Sequence, residues 1–164
     1  MAFTAQDVKK LREMTNVGMM DCKKALQATD GDMDKAVDWL REKGLAKAAK
    51  KADRIAAEGV AYATVVNGVG VVIEVNSETD FAAKTDAFMD LVKNLAVIVA
   101  EQNPADVEAL KACTYPNSNL TVTEIMQEKV MSIGENMQIR RFDRLAENTS
   151  VAYGHAGGSH GVLV

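Results

Sequence analysis

The residues best placed to do chemistry are an acid and an aromatic side by side, Asp80 and Phe81, within Asn76-Ser77-Glu78-Thr79-Asp80-Phe81-Ala82-Ala83-Lys84. A carboxylate is costly to bury and a phenyl ring costly to expose, so the pair suits neither an ordinary core nor an ordinary surface. Two uses are open. In one, Thr79 or Asp80 caps a following helix and Phe81 folds back as its hydrophobic staple. In the other, Phe81 is offered to a pocket on a partner and Asp80 supplies charge beside it. Glu78, Asp80 and Asp86 also bring carboxylates near one another. Their spacing matches no calcium loop, and surface or capping duty is the simpler reading.

The remaining reactive side chains are sparse. Cys22 and Cys113 lie far apart and without metal spacing, which fits a reducing compartment better than a disulfide scaffold. His155 and His160 fall on an extended, Gly-rich stretch where alternation places them on opposite sides, so a shared metal is not expected. There is no phosphate-binding loop, no GxGxxG before a helix, and no Ser or Cys beside a His base. Nothing demands an enzyme or a cofactor. A carboxylate metal hydrolase would need metal binding that is lost in Asp80→Asn.

Composition narrows the class further. A net charge of −4 disfavours wholesale binding to nucleic acid or acidic membranes, although local patches can still be basic. No apolar run reaches the roughly 18–20 residues of a spanning helix, and Met1 leads directly into a helix signal instead of a signal peptide. The expectation is a soluble cytoplasmic protein. With 164 residues, 48% of them hydrophobic, the chain can build a small domain plus a larger one.

The elements that must position these residues can be read in order. Thr4-Ala5-Gln6-Asp7 is a capping-box start, after which Val8, Leu11 and Met14 or Thr15 share a helical face. Gly18 breaks the pattern, and a second helix turns Cys22, Ala25 and Leu26 inward. Asp30-Gly31-Asp32 marks a turn. A third helix carries Met33, Ala36, Val37 and Leu40 and is expected to close at Gly44. Residues 1–44 thus form a three-helix domain. Between its first two helices, Met19 and Met20 cannot both point from a loop into so small a core. They either fill irregular gaps or leave at least one methionine exposed for a partner.

Residues 45–57 read as a helical linker with Leu45, Ala48, Ala49, Ala52 and Ile55 along one side. Residues 41–54 hold six basic and two acidic side chains, but lack the aromatics of a single-strand binder. Lysines on a solvated face are the expected arrangement. Gly59 should end that helix, and residues 58–164 form an α+β core. Val60–Val66, Asn67-Gly68 and Val69–Val75 spell a β-hairpin. Phe88, Leu91, Val92, Leu95 and Val99 mark an amphipathic helix, and Pro104 opens a short one through Ala112. Tyr115-Pro116-Asn117-Ser118 is loop, and Val122, Ile125, Met126, Val130 and Ile133 give a further helix halted by Gly134. The chain is extended again over 137–145 and 150–155. Its last residues, Gly161-Val162-Leu163-Val164, read as mid-strand, so a longer parent protein is expected. The architecture expected is α+β: a helical domain, a helical linker, and an antiparallel sheet with helices packed on one side.

Several of these stretches together resemble translation elongation factor Ts, the nucleotide-exchange factor for the GTPase elongation factor Tu. They are Leu11-Arg12-Glu13-Met14-Thr15, Gly18-Met19-Met20-Asp21-Cys22-Lys23-Lys24-Ala25-Leu26, Ala48-Ala49-Lys50-Lys51, Glu74-Val75-Asn76-Ser77-Glu78-Thr79-Asp80-Phe81 and Ile133-Gly134-Glu135-Asn136. The resemblance implies a first domain like a ubiquitin-associated domain, touching the GTPase through Arg12, Met19, Met20 and Lys23. It implies a core that sets Thr79, Asp80 and Phe81 near the Mg²⁺ site, with Ile133 and Gly134 on the same face. His155, in Tyr153-Gly154-His155, matches a histidine that helps Phe81 pry at a GTPase helix. Ala82 stands where the family usually has Val, and Ala156-Gly157-Gly158-Ser159 is unusually Gly-rich. Many members continue past the closing Val-Leu-Val with a second core half and a helical dimerisation or tail segment, which leaves a homodimer of a full-length protein open. The rival reading is a ubiquitin-type adaptor without exchange activity.

Overall fold

The computed structural model describes residues 3–146 and 150–164. It divides into two compact units, Met1–Ala52 with Gln127–Gly134, and Asp53–Met126 with Glu135–Val164.

The first unit is helical, with α1 (Ala5–Thr15), α2 (Met19–Ala28) and α3 (Met33–Lys51). The capping box at its start is present in both directions. The Thr4 N–H donates to Asp7 Oδ2 at 2.7 Å, and the Asp7 N–H donates to Thr4 Oγ1 at 3.3 Å. The Thr4 N–H and hydroxyl, both donating to Asp7 Oδ2, hold that carboxyl below its usual range. Val8, Leu11, Val17, Cys22, Ala25, Leu26, Ala36 and Leu40 form the core together with Met131. Of the two residues competing for the end of the α1 stripe, Thr15 is half-buried and donates to Leu11 O at 2.7 Å, while Met14 is exposed.

Two expectations fail in α3. Gly44 does not close the helix. It is buried inside α3, which runs on to Lys51. A side chain at Gly44 would meet Met131 Sδ at 3.5 Å, so the small residue serves close packing instead of termination. Nor does the helix expected along 45–57 run its full length: it ends at Lys51, and of its apolar side Leu45 is exposed and Ile55, past the helix end, is 83% exposed. The basic side chains are used locally. Arg41 pairs with Glu128 at 2.9 Å, Lys47 with Asp21 at 2.7 Å, and Lys51 donates to the Gly134 carbonyl.

The second unit is built on an antiparallel sheet in the order β1 (Glu58–Val66), β2 (Val69–Ser77), β3 (Met137–Leu145). The Asn67-Gly68 turn joins β1 and β2 with φ of 49° and 83°, the positive values that a two-residue hairpin of right-handed twist requires. Gly59 proves to be a strand residue and not a helix end. Its φ is +143°, and a Cβ there would lie 2.2 Å from Val75 O, so only glycine lets β1 approach β2 this closely. The single helical turn α4 (Asp80–Ala83) is followed by α5 (Asp86–Gln102), which is capped by Thr85 and packs on the sheet. Phe88, Leu91, Val92, Leu95 and Val99 are buried, as are Val71, Ile73 and Val75 of β2. Arg144 of β3 ties the sheet to the helix by donating twice to Ala100 O, at 3.1 and 3.0 Å.

Beyond α5, α6 (Val107–Ala112) is capped by Asp106 and does not begin at Pro104. Then comes α7 (Val122–Ile133), opened by reciprocal bonds between Thr121 and Glu124. The chain closes on the hairpin β4 (Ala152–His155) and β5 (His160–Leu163). Gly161 lies against Ala61 and Val72, and Leu163 against Gly70. These sheet residues alternate with the buried Val71 and Ile73, so the hairpin covers the face opposite α5. The whole is α+β. Among the described residues, no helix is long and apolar enough to cross a membrane.

Candidate functional site

The corner after β2 is held by side chains on both sides of it. Ser77, fully buried at the strand end, donates from Oγ to Thr79 O at 2.9 Å. Thr79 is extended (φ −128°, ψ 155°) and caps α4, its Oγ1 accepting from the Ala82 N–H at 3.3 Å. Glu135, 56 residues later, takes two bonds from the same threonine: N–H to Oε2 at 3.0 Å and Oγ1–H to Oε1 at 2.6 Å. Glu78 answers in the other direction. Its Oε1 accepts the Asn136 N–H at 2.6 Å, and its Oε2 stands 3.5 Å from Arg54 Nη1. The Asn136 side chain is buried and donates to Arg54 O at 2.8 Å. Two neighbouring pairs, 78–79 and 135–136, therefore exchange charge-assisted bonds and lock the loops against each other.

What this clamp presents is Phe81. Within the four residues of α4, Ala82 and Ala83 are buried while Asp80 and Phe81 face out, Phe81 with 80% of its surface exposed. The hydrophobic-staple reading is therefore overturned: Thr79 caps, but the ring does not fold back. Ala82 sits on the inward side. Asp80 Oδ2 receives a bond from Lys84 Nζ at 2.6 Å, one helical turn on. That bond, with the charge behind it, holds the carboxyl below its usual range.

The other residues singled out by sequence fall in separate places. Arg12, Met19, Met20 and Lys23 are all exposed on the helical unit. Met19 and Met20 are the first two residues of α2, not loop residues, and expose 44% and 65% of their surface. Ile133 is the half-buried last residue of α7, and Gly134 follows it, exposed at φ +89°. His155 is exposed on β4, with Nδ1 3.0 Å from Tyr153 Oη and the two rings stacked at 6.0 Å.

The expected opposition of His155 and His160 is wrong. They are register partners across β4 and β5, with ring centroids 6.2 Å apart. Alternation holds within a strand, but the chain reverses between them. Glu78 and Asp80, considered as metal ligands with Asp86, are each engaged by protein groups. Among the described residues, no group of three or more His, Cys, Asp or Glu side chains gathers as a metal site. Burial raises the thiol of Cys22 and of Cys113 above its usual range, the opposite of an activated nucleophile.

A family model described as elongation factor Ts matches residues 78–164, just over half of the chain. The chain belongs to the elongation factor Ts family. The elongation factor Ts match opens on Glu78, the first residue of the clamp, and includes Phe81, Ile133, Gly134 and His155. Arg12, Met19, Met20 and Lys23 lie outside it. Sequence reasoning weighed Glu78 only as a carboxylate near Asp80 and Asp86, and quoted Glu135 and Asn136 within a motif without a role. The signal was there: two acidic motif residues, each beside a residue of special backbone need. Lys84 went unremarked as a neighbour of Asp80, although it was findable from its i,i+4 spacing.

Proposed function

We propose that this chain is a guanine-nucleotide exchange factor for elongation factor Tu, working by insertion of the Asp80-Phe81 corner near the Mg²⁺ and phosphate site of the GTPase. The observation that carries the reading is an almost fully exposed phenyl ring on a corner fixed by four charge-assisted bonds. A surface ring that served only this chain's own core would have no need of such a mount. Arg12, Met19, Met20 and Lys23 supply a second contact, through a bundle of the ubiquitin-associated type, and Ile133, Gly134 and His155 complete the core contact. The work is done in the cytoplasm without a cofactor, a nucleic acid or a membrane.

No catalytic group is required. The GTPase holds GDP through phosphate contacts and Mg²⁺, and a factor that binds the empty state better must weaken GDP by the ratio by which GDP weakens the factor. Burying one Phe offers roughly 1.5–3 kcal/mol, which is about one to two decades of affinity. The rest of the effect comes from Asp80, whose negative charge disturbs the metal site, and from rearrangement of the phosphate loop. The test is release of labelled GDP from elongation factor Tu with and without this chain; equal rates would end the proposal.

The exposed methionines of α2 also suit the adaptor reading, in which the helical unit binds ubiquitin-like proteins. A pull-down that recovers such a protein instead of the GTPase would favour it.

A further inference from the structure

The geometry points to a second site, a two-imidazole site for a divalent transition ion formed by His155 and His160 across the β4–β5 hairpin. It stands independently of the exchange reading. The two residues are directly opposed in the register, where antiparallel strands bring Cβ atoms to roughly 4.5–5.5 Å. Both imidazoles are exposed, and they project from the hairpin face that also carries Tyr153 and Val162, the face turned away from β1 and β2.

Two imidazoles bound to one tetrahedral ion at metal–nitrogen lengths of about 2.0–2.1 Å have ring centres roughly 5 Å apart. The observed separation is 6.2 Å with the planes inclined at 55°. Closing it by about 1 Å needs only small side-chain rotations at an exposed site. Tyr153 adds the orienting group that histidine ligands ordinarily have. With the Nδ1–H of His155 donating to Tyr153 Oη, 3.0 Å away, the Nε2 lone pair is left for the ion. Water fills the remaining positions. Imidazole donors select Zn²⁺, Cu²⁺ and Ni²⁺ and disfavour Mg²⁺ and Ca²⁺.

The chain has just two histidines, so an imidazole nitrogen spectrum reports this pair and nothing else. Titrating the intact chain with Zn²⁺ should move both rings together and saturate at one ion per chain, while Mg²⁺ moves neither. His160→Ala, and His160→Gln as a second variant, should weaken the response of His155 by at least the ~10–100-fold that loss of a supporting partner costs at metal sites. Amide signals from β1 and β2 confirm that the hairpin stays docked. Rings that respond at different Zn²⁺ concentrations, or a His155 response unchanged when His160 is replaced, would overturn the site.

Discussion

The corner at Thr79–Phe81 and the start of α2 at Gly18–Met20 both put apolar side chains into solvent, and they hold them in opposite ways. At the corner a threonine cap and two glutamates fix the backbone, and the exposed side chain is a rigid ring. At α2 the cap is Gly18, which makes no side-chain bond, and the exposed side chains are two flexible methionines. A rigid ring on a fixed mount suits one pocket of set shape. Methionines on a lightly capped helix suit a surface that must adapt.

The sharpest way to break this contrast is Phe81→Ala. It should cut the GDP-release rate by about one to two decades while the melting temperature stays put, because the ring contributes little to its own core. Equal losses from the corner and from α2 would erase the distinction.

Glu135→Ala tests the mount itself. It removes two bonds to a half-buried threonine, and losing hydrogen bonds to a charged group costs about 1.5–3 kcal/mol. For a chain of this length that lowers the melting temperature by roughly 3–12 °C, measured by calorimetry. Exchange should fall as well, although Phe81 is still present. Full exchange activity in this variant would mean that the ring needs no fixed mount.

A smaller effect is expected at α2. Met19→Ala with Met20→Ala should weaken binding to the GTPase about three- to ten-fold, read by titration calorimetry, with single substitutions near wild type because a flexible neighbour fills in.

The smallest effect is electrostatic. Lys84→Met removes the bond that lowers the Asp80 carboxyl, so its titration should move up toward the ordinary aspartate range, followed by carboxyl carbon shifts. Because the folded-state value is depressed, this group's contribution to stability is present above the unfolded value and is lost as pH falls through the folded one. The variant should therefore be slightly less stable than the wild type near neutrality and converge with it in acid, below both values.

The elements that sequence reveals are those whose cause is local. The Asn67-Gly68 hairpin, the stripe of α5 and the Thr4–Asp7 box are each specified within a few residues, and all three are present. The presented Phe81 was legible as one of two uses of an odd pair. Gly44 was misread because its reason, the space beside Met131, lies 87 residues away. The His155–His160 pairing was missed because Ala156, Gly157 and Gly158 all adopt positive φ and turn the chain back on itself. A period-two argument cannot cross such a reversal. The clamp was hidden for a third reason: its partners are 56 and 58 positions apart, and each half alone looks like an ordinary acidic loop.

The bonds from Thr79 to Glu135 tie together the fates of two distant codons. Among related chains, an apolar residue at one position would strand polar groups at the other, so the two should drift in concert and not singly. A change such as glutamate to glutamine, which keeps an acceptor in place, is the kind of step by which that drift could begin.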